Sequence, residues 1–268
     1  KRLPRILLLP RFLGIVMRSP RRHVSTVEFF GITISNRGLD ELVAVAKDLI
    51  LEGKPHLVVT LNGEMAARAF RDPEFLAIVQ RADLVVADGV GIVWGARMLG
   101  SRIENRVPGI EFSAALLELA AREGYTVYFL GARPEVVARA VSTMCARYPG
   151  LKVAGWHSGY FDSHEEMHIV NEIRDARVDI LLVGMGGGVQ EKWISQHRDL
   201  GVPLAIGVGG TFDVWSGEVR RAPRFVQKTG IEWLYRLIVQ PSRLRRVGSI
   251  FYFMFCVLTQ SRESRKIP

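Results

Sequence analysis

From Val27 onward, short runs rich in β-branched residues alternate with longer segments whose apolar positions recur every third or fourth residue. The first pattern predicts strands and the second amphipathic helices. Strands are expected at 27–34 (VEFFGITI), 56–61 (HLVVTL), 83–87 (DLVVA), 126–131 (TVYFLG), 151–156 (LKVAGW), 179–185 (DILLVGM) and 203–209 (PLAIGVG). Helices are expected over Leu39–Leu51, Pro73–Arg81, Ile92–Leu99, Ile110–Arg122, Pro134–Arg147, His164–Asp175 and Gln190–His197. Strands of unbroken Val, Ile and Leu suit a parallel sheet covered on both faces. The fold class that follows is α/β: a Rossmann-like, doubly wound, mainly parallel sheet.

The alternation stops near Val219. The stretch PRFVQKTGIEWLYRLIVQPSRLRR predicts a helix broken near Pro241, and the apolar run VGSIFYFMFCVL (247–258) follows it. Three regions are therefore expected: a basic, apolar N-terminal segment (1–25), an α/β catalytic core (26–218) and a C-terminal basic helical appendage (219–268). Ile231–Ile238 could equally close the core. Burial is not expected for 243–268, where charge is dense and of one sign. With every strand upstream, the chain cut after Glu218 is expected to fold.

Charge sharpens this division. Residues 1–22 carry seven Lys/Arg and no acid, and 220–268 carry eleven against Glu232 and Glu263, so the body between them is net acidic although the whole chain is +9. A uniformly basic nucleic-acid binder does not look like this, and no nucleic-acid partner is expected. Twelve helical residues reach about 18 Å, short of the roughly 30 Å of bilayer hydrocarbon. An apolar run between basic flanks instead indicates peripheral, monotopic attachment to an anionic membrane surface. The N-terminal LPRILLLPRFLGIVMRSPRR resembles a signal peptide in its basic flanks, but Pro4, Arg5, Pro10 and Arg11 interrupt its apolar run. The chain begins at Lys1, so a longer natural N-terminus stays open. Two cysteines, Cys145 and Cys256, exclude a disulfide scaffold and any Cys-rich metal centre.

In open parallel sheets ligands bind beyond the carboxyl ends of the strands. Those ends read Thr60-Leu-Asn62-Gly-Glu64, Asp88-Gly-Val-Gly91, Gly131-Ala-Arg133, Gly184-Met-Gly-Gly-Gly188-Val-Gln190-Glu191-Lys192 and Gly207-Val-Gly-Gly-Thr-Phe-Asp213. Glycines there let backbone N–H groups approach an anion, and a following helix start adds its dipole. Five such turns in one chain point to a phosphate-bearing ligand. No G-x-G-x-x-G, Walker A, D-x-D or G-x-S-x-G pattern occurs. His164-Glu-Glu-Met-His168 fits the H-E-x-x-H zinc pattern. Met167, Val170 and Ile173 form that segment's apolar face, however, and Asp162 or Ser163 would cap it. It reads as a solvated helix start, and no metal or cofactor is expected. Asp88, ending an apolar strand before a helix, suits a general base and a helix N-cap equally well.

The segments TLNGEM (60–65), ADGVGIVW (87–94), NRVPGIEF (105–112), FLGARPEV (129–136), YPGLKVAGWHSGYF (148–161), QEKW (190–193) and IGVGGTFDVWSGEVRRAPRFVQKTGIEWLYRL (206–237) resemble the WecG/TagA/CpsF glycosyltransferases, glycosyltransferase family 26. The likeness runs from about Val27 to Arg246. It departs at Gly188-Val189, where the family pattern has Pro-Lys. The resemblance implies a GT-E-like fold and an inverting, metal-independent transferase. This would move an N-acetylmannosamine-type sugar from a UDP donor to a polyprenyl-diphosphate-linked GlcNAc, on the cytoplasmic face of a bacterial membrane. It makes Asp88 the base, with Thr60 and Asn62 beside it. It sends Arg106 and Gln190 to diphosphate or sugar, and Tyr160 and Asp213 to uracil and ribose. Gly131 lines the same edge, and Arg221 and Arg224 supply cationic charge. Two other classes share parts of the pattern: a nucleotide-dependent oxidoreductase, which lacks its glycine spacing here, and a non-catalytic membrane-surface module. A homo-oligomer stays open.

Overall fold

The structure is a computed structural model that describes residues 25–223, Val226, Tyr235 and 244–264. Eight strands form one sheet in the order β1-β2-β4-β3-β8-β7-β5-β6. They are β1 (Thr26–Phe29), β2 (Ile32–Ser35), β3 (His56–Leu61), β4 (Leu84–Ala87), β5 (Thr126–Gly131), β6 (Lys152–His157), β7 (Ile180–Gly184) and β8 (Leu204–Gly207). All pairings are parallel except that of β1 with β2. The expected single strand at 27–34 is thus a hairpin. Phe30 and Gly31 both take positive φ (51° and 71°), the geometry that returns a tight hairpin. The β-branched pattern ran straight through that turn, and Phe30 is an unusual residue for it.

Ten α-helices are described: α1 (Leu39–Leu51), α2 (Gly63–Ala69), α3 (Pro73–Gln80), α4 (Val90–Met98), α5 (Gly109–Glu123), α6 (Pro134–Arg147), α7 (Ser163–Asp175), α8 (Val189–Gln196), α9 (Thr211–Trp215) and α10 (Leu244–Ser264). Their starts and faces follow local rules. Asp72 caps α3 through Phe75 N, with Pro73 in the first turn. In α1, Leu42, Ala46 and Ile50 recur every fourth residue and are the buried ones. Strands β3 and β7 are buried along their whole length, as a sheet covered on both faces requires. One face carries α2, α3, α4, α7, α8 and part of α10. The other carries α1, α5, α6 and α9.

Neighbouring strands β3 and β8 are followed by helices on opposite faces, α2 and α9. The same divergence holds for β8 and β7 and for β7 and β5, and the carboxyl edge where chains leave to opposite faces is where such sheets bind ligands.

Two expectations need correcting. In α7 Ile173 is buried and Val170 packs against the core as expected, but Ile169 is buried in place of Met167, which is 59% exposed. The second concerns 243–268, which was not expected to bury. Helix α10 lays Phe253 (1% exposed) and Val257 (0%) into the main core. The ring of Phe253 lies where side chains on Gly63, Gly91 and Gly95 would be: a Cβ there would come within 3.5, 3.6 and 3.1 Å of it. Ser261 Oγ donates to Met98 O at 2.9 Å, and the Arg71 guanidinium sits 3.6 Å above the Tyr252 ring. Charge flanks α10, but its middle is apolar enough to pack. A chain cut after Glu218 would therefore uncover Phe29, Phe70 and Trp94, the rings around Phe253.

Candidate active site

The carboxyl edge of the sheet gathers the strand-end residues into two groups, one around β3 and β4 and the other around β5 and β7. On the β3/β4 side, Thr60 is 5% exposed and its hydroxyl donates to Gly207 O at 3.0 Å, tying β3 to β8. Asn62 caps α2: its Oδ1 accepts from Glu64 N and Met65 N, both at 3.0 Å. Asp88 follows β4, and its backbone N–H donates to Leu61 O at 2.8 Å, which sets the two strand ends side by side. Asp88 is half-buried. It is not the N-cap of α4; Gly89 holds that position with φ 96°, 4.0 Å from Asn62 Cβ if it bore a side chain.

Arg106 lies half-buried on the connection from α4 to α5, which Val107 N anchors to Ala87 O at 3.2 Å, next to Asp88. Helix α5 then starts against Thr60: a Cβ on Gly109 would stand 3.1 Å from Thr60 Oγ1. Its positive dipole end so lies against the carboxyl end of β3. Arg221 pairs with Glu111 in the first turn of α5, which carries a C-terminal arginine back to this side. Its buried Nε has no acceptor among the described residues. Arg224 lies outside the described residues.

The β7/β5 side is built from backbone. Gly131 has φ 141°, and a Cβ there would collide with Gly184 O at 2.4 Å. A Cβ on Gly159 would stand 2.9 Å from Gly131 Cα. Only glycine permits strand ends and the 158–160 loop to meet so closely. Ser158 Oγ donates to Ala132 O and accepts from Tyr160 N, each at 3.1 Å, and this holds Tyr160 at the rim with 74% of its surface exposed. Asp213 sits half-buried in the first turn of α9. Its charge reaches Arg133, whose affinity for its proton rises chiefly through Glu218, then Glu135, with Asp213 adding to them.

Gln190 is placed differently from a residue waiting for ligand. It is 2% exposed; its Nε2 donates to Glu191 Oε1 at 2.7 Å and its Oε1 accepts from Gly209 N at 3.0 Å. Glu191 is fully buried and also accepts from Gly188 N at 2.5 Å. Burial pushes the Glu191 carboxyl above the usual carboxylate range, against the pull of Gln190, Gly188 and the Arg68 charge. Gly188, at φ 89°, leaves room for the Arg68 guanidinium, which would lie 2.1 Å from a Cβ there. Proline could neither take that φ nor donate that N–H. Reading the sequence assigned nothing to Glu191, Arg68 or Glu111. Glu191 had one visible signal, its place three residues after a helix-start glycine.

His164 and His168 are both exposed, their rings 4.8 Å apart. Glu165 Oε2 is engaged by Asp162 N at the helix start, and Asp162 is the cap. Among the described residues no group of three or more His, Cys, Asp or Glu could hold a metal ion.

Glycine-only backbone, arginines and a carboxylate are gathered at the carboxyl edge of the sheet, where enzymes of this α/β class bind their ligands. Comparison with known proteins narrows this class to one family. Residues 27–267 match the glycosyl transferase WecG/TagA/CpsF family, and the chain belongs to it. A Bacillus spizizenii protein is 33% identical over 216 residues, covering 80% of this chain and 83% of its own length. A Staphylococcus aureus protein is 32% identical over 249 residues, covering 92% and 97%. Both are named N-acetylglucosaminyldiphosphoundecaprenol N-acetyl-β-D-mannosaminyltransferase.

Proposed function

We propose that this glycosyltransferase moves an N-acetylmannosamine-type sugar from a UDP donor to a polyprenyl-diphosphate-linked GlcNAc, with inversion, without metal, and with Asp88 as the general base. The observation that carries this reading is the setting of Asp88. It follows β4 at the carboxyl edge of the sheet, half-buried, with its backbone N–H bonded to Leu61 O between Thr60 and Asn62. Inversion needs a single displacement. The Asp88 carboxylate takes the proton of the acceptor hydroxyl as its oxygen bonds to the anomeric carbon. The anomeric C–O bond to the diphosphate breaks, and UDP departs with the electron pair. Developing charge on that diphosphate is met by the α5 dipole, Arg106 and the buried Nε–H of Arg221. The glycine-lined β5/β7 side, with Tyr160 and Asp213, takes the nucleoside.

Membrane attachment rests on the other face of α10. Phe251 (66%), Met254 (39%), Phe255 (63%) and Leu258 (41%) form an exposed apolar stripe between the basic residues at 243–246 and 262–266. No helix among the described residues is long and apolar enough to cross a membrane, so the helix would lie in the interface on the cytoplasmic face. The decisive assay incubates the enzyme with single UDP-sugars and a short-chain lipid-diphosphate GlcNAc acceptor and measures UDP release and product anomer. Inverted product from UDP-N-acetylmannosamine is expected. Retained configuration, or an absolute need for added metal, would overturn the mechanism.

A further inference from the structure

We propose that Glu191 is a positioning residue: its carboxylate fixes the orientation of the Gln190 amide and thereby locks the loops after β7 and β8 to each other at the edge of the site. The effect on turnover rests on the transferase reading; the lock itself does not.

The argument is one of hydrogen-bond polarity. Burial raises the affinity of Glu191 for a proton, but both its oxygens face N–H donors and the Arg68 charge lies nearby, which favours the ionised form, and a carboxylate only accepts. Glu191 Oε2 takes the N–H of Gly188, in the loop after β7, and Oε1 takes the Nε2 of Gln190. Gln190 is left with its oxygen pointing at the N–H of Gly209, in the loop after β8. Turning the Gln190 amide over would set oxygen against carboxylate at one end and N–H against N–H at the other. Both side chains press on the end of β8: a Cβ on Gly207 would lie 2.3 Å from Gln190 Nε2 and 2.5 Å from Glu191 Oε1. Both are buried as well, at 0% and 2% exposure, where a mismatched polar pair is most costly. Arg68 backs the same loop from α2, donating to Gly187 O at 3.2 Å. A simple capping box would not need this burial, and it accepts Gln as readily as Glu at its third position. The lock does not accept Gln. That difference makes Glu191→Gln the informative change.

The test uses the full chain in four forms: unchanged, E191Q, Q190E, and the exchange Q190E/E191Q, which reverses the two residue types yet restores every donor–acceptor match. Amide hydrogen exchange at Gly209 and Gly188 is measured beside UDP-release kinetics. In E191Q, Gly209 should exchange roughly tenfold faster or more. Turnover should fall by roughly 10²-fold, as displacement of a site loop by about 1 Å can produce, with KM for the donor changing less than kcat. The double exchange should restore Gly209 protection and turnover together. E191Q with unchanged protection and turnover would reduce Glu191 to a helix cap. Recovery of protection without recovery of turnover would show that Gln190 itself touches ligand, and would overturn the positioning role. Should E191Q fail to fold, folding of the double exchange upholds the polarity argument and its failure overturns it. If the unchanged chain releases no UDP from any sugar donor, the transferase reading fails, and exchange at Gly209 still decides the lock.

Discussion

The two sides of the sheet's carboxyl edge, around β3/β4 and around β5/β7, are made of different materials. On the β3/β4 side the edge is formed by side chains: Thr60, Asn62, Asp88, Arg106 and Arg221 bring a hydroxyl, an amide, a carboxylate and two guanidinium groups. On the β7/β5 side it is formed by backbone, at Gly131, Gly159 and Gly184, where a single methyl group would collide with the main chain or a neighbouring ring. Side chains can change charge and move protons, whereas bare backbone offers fixed dipoles and room. On the proposed reading the first side makes the new bond and the second holds the base and ribose of the donor. The cover differs too. Helix α10 packs on α2 and α4, behind the loops carrying Asn62 and Asp88; the β7/β5 side is held from within, by Gln190 and Glu191.

This contrast can be broken by experiment. Asp88→Asn keeps the size of the side chain and removes the proton acceptor, so turnover should fall by roughly 10²–10⁴-fold while UDP affinity by calorimetry holds. Near-normal turnover would take the chemistry away from the β3/β4 side. Phe253→Ala should cost about 3–5 kcal/mol of stability in denaturant melts, the usual loss for a buried aromatic ring. Amide exchange should rise around 62–66 and 89–95 well before it rises around 131 and 159. Uniform loosening of both sides would show that α10 supports the whole sheet alike. Gly131→Ala forces a side chain into a positive-φ position against Gly184 O, a strain on the order of 1–3 kcal/mol. It should weaken UDP binding roughly tenfold or more and leave the pH dependence of turnover unchanged; unaltered UDP affinity would move the nucleotide elsewhere. The smallest effect is expected from removing His164 and His168 together, or from adding EDTA. Transfer should survive both. Loss with EDTA and recovery with a divalent ion would place a metal at the edge and end the division between a proton-moving side and a binding side.

How much of this could be read without coordinates depends on the range of the interaction involved. Helices α1 and α6 begin and end where the apolar period and the proline start put them, because caps and periodicity act within a few residues. The doubly wound sheet was legible for the same reason: unbroken Val/Ile/Leu strands have few other uses. Glycines at strand ends marked the edge of the site, and the segment resemblance supplied the family. The hairpin at Phe30-Gly31 was missed because a non-glycine residue at positive φ leaves no pattern; the fold supports it with the Phe29 and Phe70 rings. The seat of Phe253 was missed because Gly63, Gly91 and Gly95 lie some 160–190 residues before it and meet it only after folding. The same holds for the Arg221–Glu111 pair and for the Gln190–Glu191–Gly209 lock. Local sequence determined the elements, their order and the residue types gathered at one edge, since those depend on neighbours in the chain. Tertiary structure alone decided that Asp88 is half-buried at the edge of the sheet while Glu191 is fully buried beside Gln190, because burial and partners are set by elements far apart in sequence.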